Sequence, residues 1–161
     1  MSLAVGYKKI KMTNKIYKWF KVKNSVSFSA TIELKMTRNL ASQNRIVESY
    51  KGLGFKGQGI IIEVSNTGFD LWKLGAKIGL EYAFSIVNDF WEVEVLNLEG
   101  LVTDTNPTII GYTAIRAFFD GISHELAIDK IEQLETLVFR SWDDKNSNCL
   151  PDFHALKFID H

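Results

Sequence analysis

The sequence predicts an α+β fold in which a mainly antiparallel sheet is covered on one side by two helices. Two observations carry this. Val26, Phe28, Ala30, Ile32, Leu34 and Met36 alternate with Ser27, Ser29, Thr31, Glu33 and Lys35, the two-residue period of a half-buried strand. Further on, apolar residues recur at helical spacing in two separate places, Leu71, Leu74, Ile78 and Tyr82, then Ile109, Tyr112, Ile115 and Phe119. Strands interrupted by two well-separated helical patterns give the architecture.

With 161 residues the chain is long enough to bury a core and short for two domains, so 1–161 reads as one domain. Apolar residues make up 46% and charged residues 24%, a balance that excludes wholesale disorder. Cys149 stands alone, which excludes an internal disulfide framework and any cysteine-based metal cluster. The longest apolar runs, Gly59 to Ile62 and the stretch around Ala117-Phe118-Phe119, fall far short of a bilayer span. The lysine-rich N-terminal segment lacks the apolar core of a secretory signal. No membrane partner is expected, and the expected location is cytoplasmic.

The elements follow in order. Tyr7 to Met12 and Ile16 to Val22 read as a hairpin turned by Thr13-Asn14-Lys15, or one of them as a short helix. After the alternating strand the pattern breaks from Thr37 to Gln58, and Gly52, Gly54, Gly57 and Gly59 mark a turned loop. That loop lacks the Gly-Lys-Ser/Thr ending of a Walker loop and the strand-loop-helix setting of a dinucleotide fingerprint, so it makes a poor nucleotide cradle. A strand over Ile60 to Ser65 closes at Asn66-Thr67-Gly68.

A helix is predicted over Leu71 to Ser85, with Gly75 and Gly79 four apart as though it rested closely on the sheet. Phe90 to Glu99 reads as a strand ending at Gly100, and Leu101 to Asn106 as a loop. Pro107 suits the first turn of a helix running from Thr108 to Phe119, which Asp120-Gly121 would end. Leu126 to Val138 fits one helix, or a short helix followed by a strand. Ser141 to Asn148 reads as a loop, and Phe153 to Ile159 returns to the body.

Formal net charge is zero, but the average hides a sequence dipole. Residues 1–58 carry twelve Lys and Arg against Glu33 and Glu48, whereas residues 59–161 carry seven bases against seventeen acids. Lys8, Lys9, Lys11, Lys15, Lys18, Lys21 and Lys23 fall together without an acid, interleaved with Ile10, Ile16, Tyr17, Trp19 and Phe20. Such a stretch can meet phosphates with its lysines and stack bases on its rings. The ordinary reading is that the rings sit on the core while the lysines face water.

Catalytic chemistry is sparse. His124, His154 and His161 have no two-ligand spacing on a common element, so no metal is expected. Cys149 sits before Leu150-Pro151 without a nucleophile motif. Glu92 and Glu94 share one strand face, where paired carboxylates can raise a pKa, yet Trp91, Val93 and Val95 form the apolar face and leave the glutamates to water. No catalytic residue, cofactor or metal site emerges.

Three segments in order carry a family resemblance. They are Ser27-Phe28-Ser29-Ala30-Thr31-Ile32, then Lys56-Gly57-Gln58-Gly59, then Leu98-Glu99-Gly100-Leu101-Val102-Thr103-Asp104-Thr105-Asn106. Together with Gly75 to Ala83, Gly111-Tyr112 and Ala117-Phe118, they resemble domain IV of the elongation factor G family, including the ribosomal protection proteins, over residues 25–120. The resemblance implies a ribosomal protein S5 domain 2-like fold, a four-stranded sheet with helices on one face and a left-handed crossover. A plain ferredoxin-like fold is the alternative. The last segment is similar to the family's Asp-Gly-x-x-His-x-x-Asp-Ser tip loop, which reaches the decoding centre and contacts tRNA and ribosomal RNA. Here Thr103 replaces the histidine, Asn106 the aspartate and Pro107 the serine.

Two functions follow as expectations. One is a non-enzymatic ribosome- or RNA-associated module, with ribosomal RNA or the small ribosomal subunit as partner. The other is a protein-binding or regulatory module, of inhibitor or immunity type, that has lost the ribosomal tip residues. On either reading Val102, Thr103, Asp104 and Asn106 are expected as exposed contacts, since binding residues concentrate on loops between fixed elements. The seven lysines are the expected basic surface.

Overall fold

The structure is a computed structural model that describes residues 12–143 and 145–160. β1 (Met12–Lys23) and β2 (Val26–Arg38) form an unbroken hairpin, paired from Met12 with Thr37 to Lys23 with Val26. Its turn is Asn24-Ser25, both at positive φ (53° and 66°), the left-handed pair that lets a two-residue turn follow the twist of its strands. Asn enters that region with little strain. The turn expected at Thr13-Asn14-Lys15 is instead strand interior, and the part of that reading from Tyr7 to Lys11 lies outside the described residues.

In β2 the alternation holds: Phe28, Ala30, Ile32, Leu34 and Met36 are buried, while Val26 at the hairpin end is 40% exposed. β3 (Arg45–Glu48), β4 (Gly54–Lys56), β5 (Ile61–Glu63) and β6 (Trp91–Leu101) complete a six-stranded sheet in the order β1-β2-β6-β5-β4. β3 runs parallel to the first half of β6, whereas β5 runs antiparallel to its end. β3 and β4 fall where the sequence shows only a broken pattern, because strands of four and three residues are too short to display a period.

β6 carries a bulge. Glu33 pairs with Asn97 and Leu34 with Val95, so Leu96 has no opposite residue. The inward parity switches there, from Val93 and Val95 before the bulge to Leu98 and Gly100 after it, all buried. One extra residue thus keeps both halves of the strand facing the helices.

Those helices lie on one face of the sheet. α1 (Asp70–Ile86), α2 (Pro107–Gly121) and α3 (Ile128–Phe139) are arranged with α2 as the central element, and α2 packs on β1 and β2. Trp19 of β1 meets Tyr112 of α2 edge-on at 5.1 Å. The expected glycine contact changes partner: α1 approaches α2 rather than the sheet. A Cβ on Gly79 would lie 2.1 Å from the Gly111 carbonyl oxygen, and one on Gly75 would lie 2.4 Å from that of Pro107. Leu126 to Val138 resolves to one helix with its start at Ile128. β7 (Leu150–Asp152) and β8 (Lys157–Ile159) form a small hairpin that buries Phe153 against Tyr82 at 5.8 Å. Among the described residues no helix is long and apolar enough to cross a membrane.

Candidate functional site

The segment joining β6 to α2 is pinned from below and open above. Thr105 is buried; its hydroxyl donates to the Ser29 carbonyl at 2.6 Å and accepts the Leu101 backbone N–H at 2.9 Å. Ser29 in turn donates its backbone N–H to the Asp104 carbonyl. Asn106, 2% exposed, caps α2 by accepting the Ile109 N–H at 2.9 Å and donates from its amide to the Ser141 hydroxyl. Asn106 is therefore a structural cap and not the exposed contact expected of it. A polar residue directly before a proline at N1 answers the unpaired N–H groups of a helix start.

Val102, 47% exposed, and Thr103 face solvent, and Asp104 is half-buried. The Thr103 hydroxyl donates to the Asp104 carboxylate at 2.9 Å. Thr105 and Asn106 thus fix a platform from which the three preceding side chains project.

Next to this platform is a cleft of about 360 Å³, lined chiefly by Phe55, Phe69, Trp72, Val102, Pro107 and Trp142. Phe55 comes from β4, opposite buried Ile62, and its ring lies 5.7 Å from that of Phe69. The Phe69 ring lies 6.3 Å from Trp72. Phe69 occupies the N-cap of α1 in a left-handed backbone conformation (φ 58°) and supplies no capping hydrogen bond. A bulky residue there is strained and forfeits a cap, so its gain comes from the position of its ring. The Trp142 indole N–H is buried without a hydrogen-bond partner among the described residues. A small cavity lined mainly by apolar side chains suits an apolar group.

This aromatic group escaped sequence reasoning, because its members are spread over about ninety residues on three segments. The available signal was local: Phe55 inside a glycine-rich loop, and Phe69 where a helix start calls for Ser, Asp or Asn.

The basic stretch does not form one surface among the described residues. Strand alternation sends Lys18 to the open face of the sheet and Lys15, Lys21 and Lys23 to the face that carries Trp19. Lys15 is paired with Asp120, and the Lys23 ammonium lies 4.4 Å over the Phe139 ring. Lys8, Lys9 and Lys11 lie outside the described residues.

The other candidates are engaged locally. Arg45 pairs with Glu92 at 3.2 Å, and the Ser49 hydroxyl donates to Glu94. The His154 ring lies 4.8 Å from Tyr82, and His124 lies 5.2 Å from Phe119. Burial, then the neighbouring Asp160 carboxylate, raises the pKa of the Cys149 thiol and holds it away from the reactive thiolate. Among the described residues no three His, Cys, Asp or Glu side chains converge as a metal-holding group.

No protein-family model matches the sequence, and no curated protein matches it. Among solved structures, the chain is similar to part of a protein from Thermus thermophilus, with 12% identity and a TM-score of 0.51. The match covers 81% of this chain and 21% of that one, so this chain spans about a fifth of that protein's length. A mevalonate kinase from Methanococcus jannaschii matches with 12% identity and a TM-score of 0.30, over 97% of this chain and 56% of that one. At such identity the first likeness concerns the fold alone.

Proposed function

We propose that this chain is a non-enzymatic binding module that holds a protein partner at the loop end of its sheet. In this reading the α+β fold is of the ribosomal protein S5 domain 2-like kind, as the resemblance to elongation factor G domain IV implies. One observation carries the proposal: Phe55, Phe69, Trp72 and Trp142 meet around a cleft beside the exposed Val102 and Thr103. Aromatic side chains around a small cavity are the usual anchors of protein recognition, because they offer large apolar area with little rotamer freedom to lose. The cleft takes an apolar or aromatic side chain of the partner.

The test is site-specific crosslinking in the native cell, with a photoreactive benzophenone amino acid at position 102 and, as control, at exposed Lys157 of β8, which does not line the cleft. A discrete protein adduct from position 102 alone supports the proposal. Equal adducts from both positions contradict it.

The ribosomal reading has its own support in the exposed Val102 and Thr103 and the half-buried Asp104, which the sequence resemblance aligns with the family's tip loop. Cosedimentation with small ribosomal subunits, lost in a Thr103→Ala/Asp104→Ala variant of unchanged fold, supports that reading over the first.

A further inference from the structure

Among the described residues nothing pairs with the outer edge of β1, a margin of twelve residues, whereas the opposite margin, β4, has three. The two-residue turn at Asn24-Ser25 makes Lys23 and Val26 the closing hydrogen-bonded pair, so backbone groups of the odd-numbered residues from Lys23 back to Thr13 face β2. The N–H and C=O groups of Met12, Asn14, Ile16, Lys18, Phe20 and Val22 therefore point outward in a row. The same residues place their side chains on the sheet face opposite the helices, where Ile16 is 66% and Phe20 55% exposed.

Free edges are usually blunted by shortness, a bulge, proline or charged side chains, lysine above all. β1 has only the lysines: its pairing with β2 is one to one throughout and it contains no proline, so the edge is guarded against like-charged strands and open to an acidic one. Its charge is of one sign, with Lys15, Lys18, Lys21 and Lys23 and no acid from Met12 to Lys23. Two such strands laid side by side would repel, which disfavours a second copy on this edge.

We infer that the outer edge of β1 is a docking edge that takes an extended acidic and apolar segment of another protein as an added strand. The partner backbone completes the outward row of donors and acceptors. Its apolar side chains lie along Ile16 and Phe20 on one face, and its carboxylates meet Lys21 and Lys23 on the other. This edge is separate from the aromatic cleft and does not depend on what the cleft holds.

The experiment uses the full chain and a capped eight-residue peptide of alternating glutamate and valine, with residue-resolved amide exchange as readout. The expected result is at least about tenfold slower exchange at Asn14, Ile16, Lys18, Phe20 and Val22, with little change at Thr13, Tyr17 and Trp19, which are already bonded to β2. A Lys21→Glu variant, altered only at an exposed position on the face the glutamates meet, loses most of the protection while its unfolding midpoint stays put. Three results overturn the inference: no slowing at millimolar peptide, equal slowing by a lysine-valine peptide, or slowing without peptide that rises with protein concentration. The last would assign the edge to a second copy.

Discussion

The side-chain amide of Asn106 donates to the hydroxyl of Ser141 at 2.9 Å, joining two buried residues 35 positions apart and tying the start of α2 to the end of α3. The same asparagine accepts the Ile109 N–H, so one side chain anchors the helix and closes the floor beneath the candidate site.

Asn106→Ala removes the cap and leaves the Ser141 hydroxyl and the Ile109 N–H buried without this partner. The expected cost is about 2–3 kcal/mol. Asn106→Asp keeps an acceptor for Ile109 at a helix N-terminus, which favours negative charge, and can accept from Ser141; its cost should be less than half as large. Urea unfolding midpoints of the three proteins check the order.

A methyl group at Gly79 has no room against the Gly111 carbonyl. Gly79→Ala raises helix propensity by about 1 kcal/mol and should nevertheless destabilise the protein by about 1–3 kcal/mol, since α1 must move off α2. Thermal denaturation gives the sign: a raised midpoint contradicts the close helix contact.

These two positions show what the sequence makes legible. The apolar period of β2 and the helical spacing of α1 and α2 are properties of single segments, and a reader of the sequence can place them. The partner of Gly79 and the role of Asn106 depend on which segments meet. Gly79 was legible as a close approach but not as an approach to another helix, and Asn106 lay one residue before a proline, a cap position overshadowed by its place in a family-like loop. The aromatic cleft was the least legible, because Phe55, Phe69, Trp72 and Trp142 become neighbours only through the fold.

Ile32 lies at the centre of β2 and is fully buried. Ile32→Asp places a carboxylate among apolar side chains and should cost about 3 kcal/mol or more, against about 1 kcal/mol for Ile32→Val. Chemical denaturation separates the two, and an unchanged midpoint for the aspartate variant contradicts the inward face of β2.

Stability should fall on the alkaline side. Burial, with Glu135 as hydrogen-bond acceptor, raises the pKa of Tyr112; burial and the charge of Glu48 raise that of Tyr50; burial raises that of Tyr82. A phenol whose folded pKa lies above its ordinary value of 10.0 contributes stability that is complete below that value and is lost as pH rises past it. Unfolding free energy should therefore decline as pH rises above about 10, and Tyr112→Phe should make that decline shallower. The same variant should cost about 1–2 kcal/mol at neutral pH, where the Tyr112 hydroxyl bonds Glu135 and Arg116.

The central claim is that the aromatic cleft, and not merely the loop beside it, holds the partner. Its most direct measurement is the yield of the protein adduct from the photoreactive residue at position 102 when Phe55, 63% exposed, is changed to serine. The account predicts that Phe55→Ser leaves the unfolding midpoint within about 1 kcal/mol of the parent and lowers the adduct yield at least about tenfold. An undiminished yield from a folded Phe55→Ser protein would contradict it.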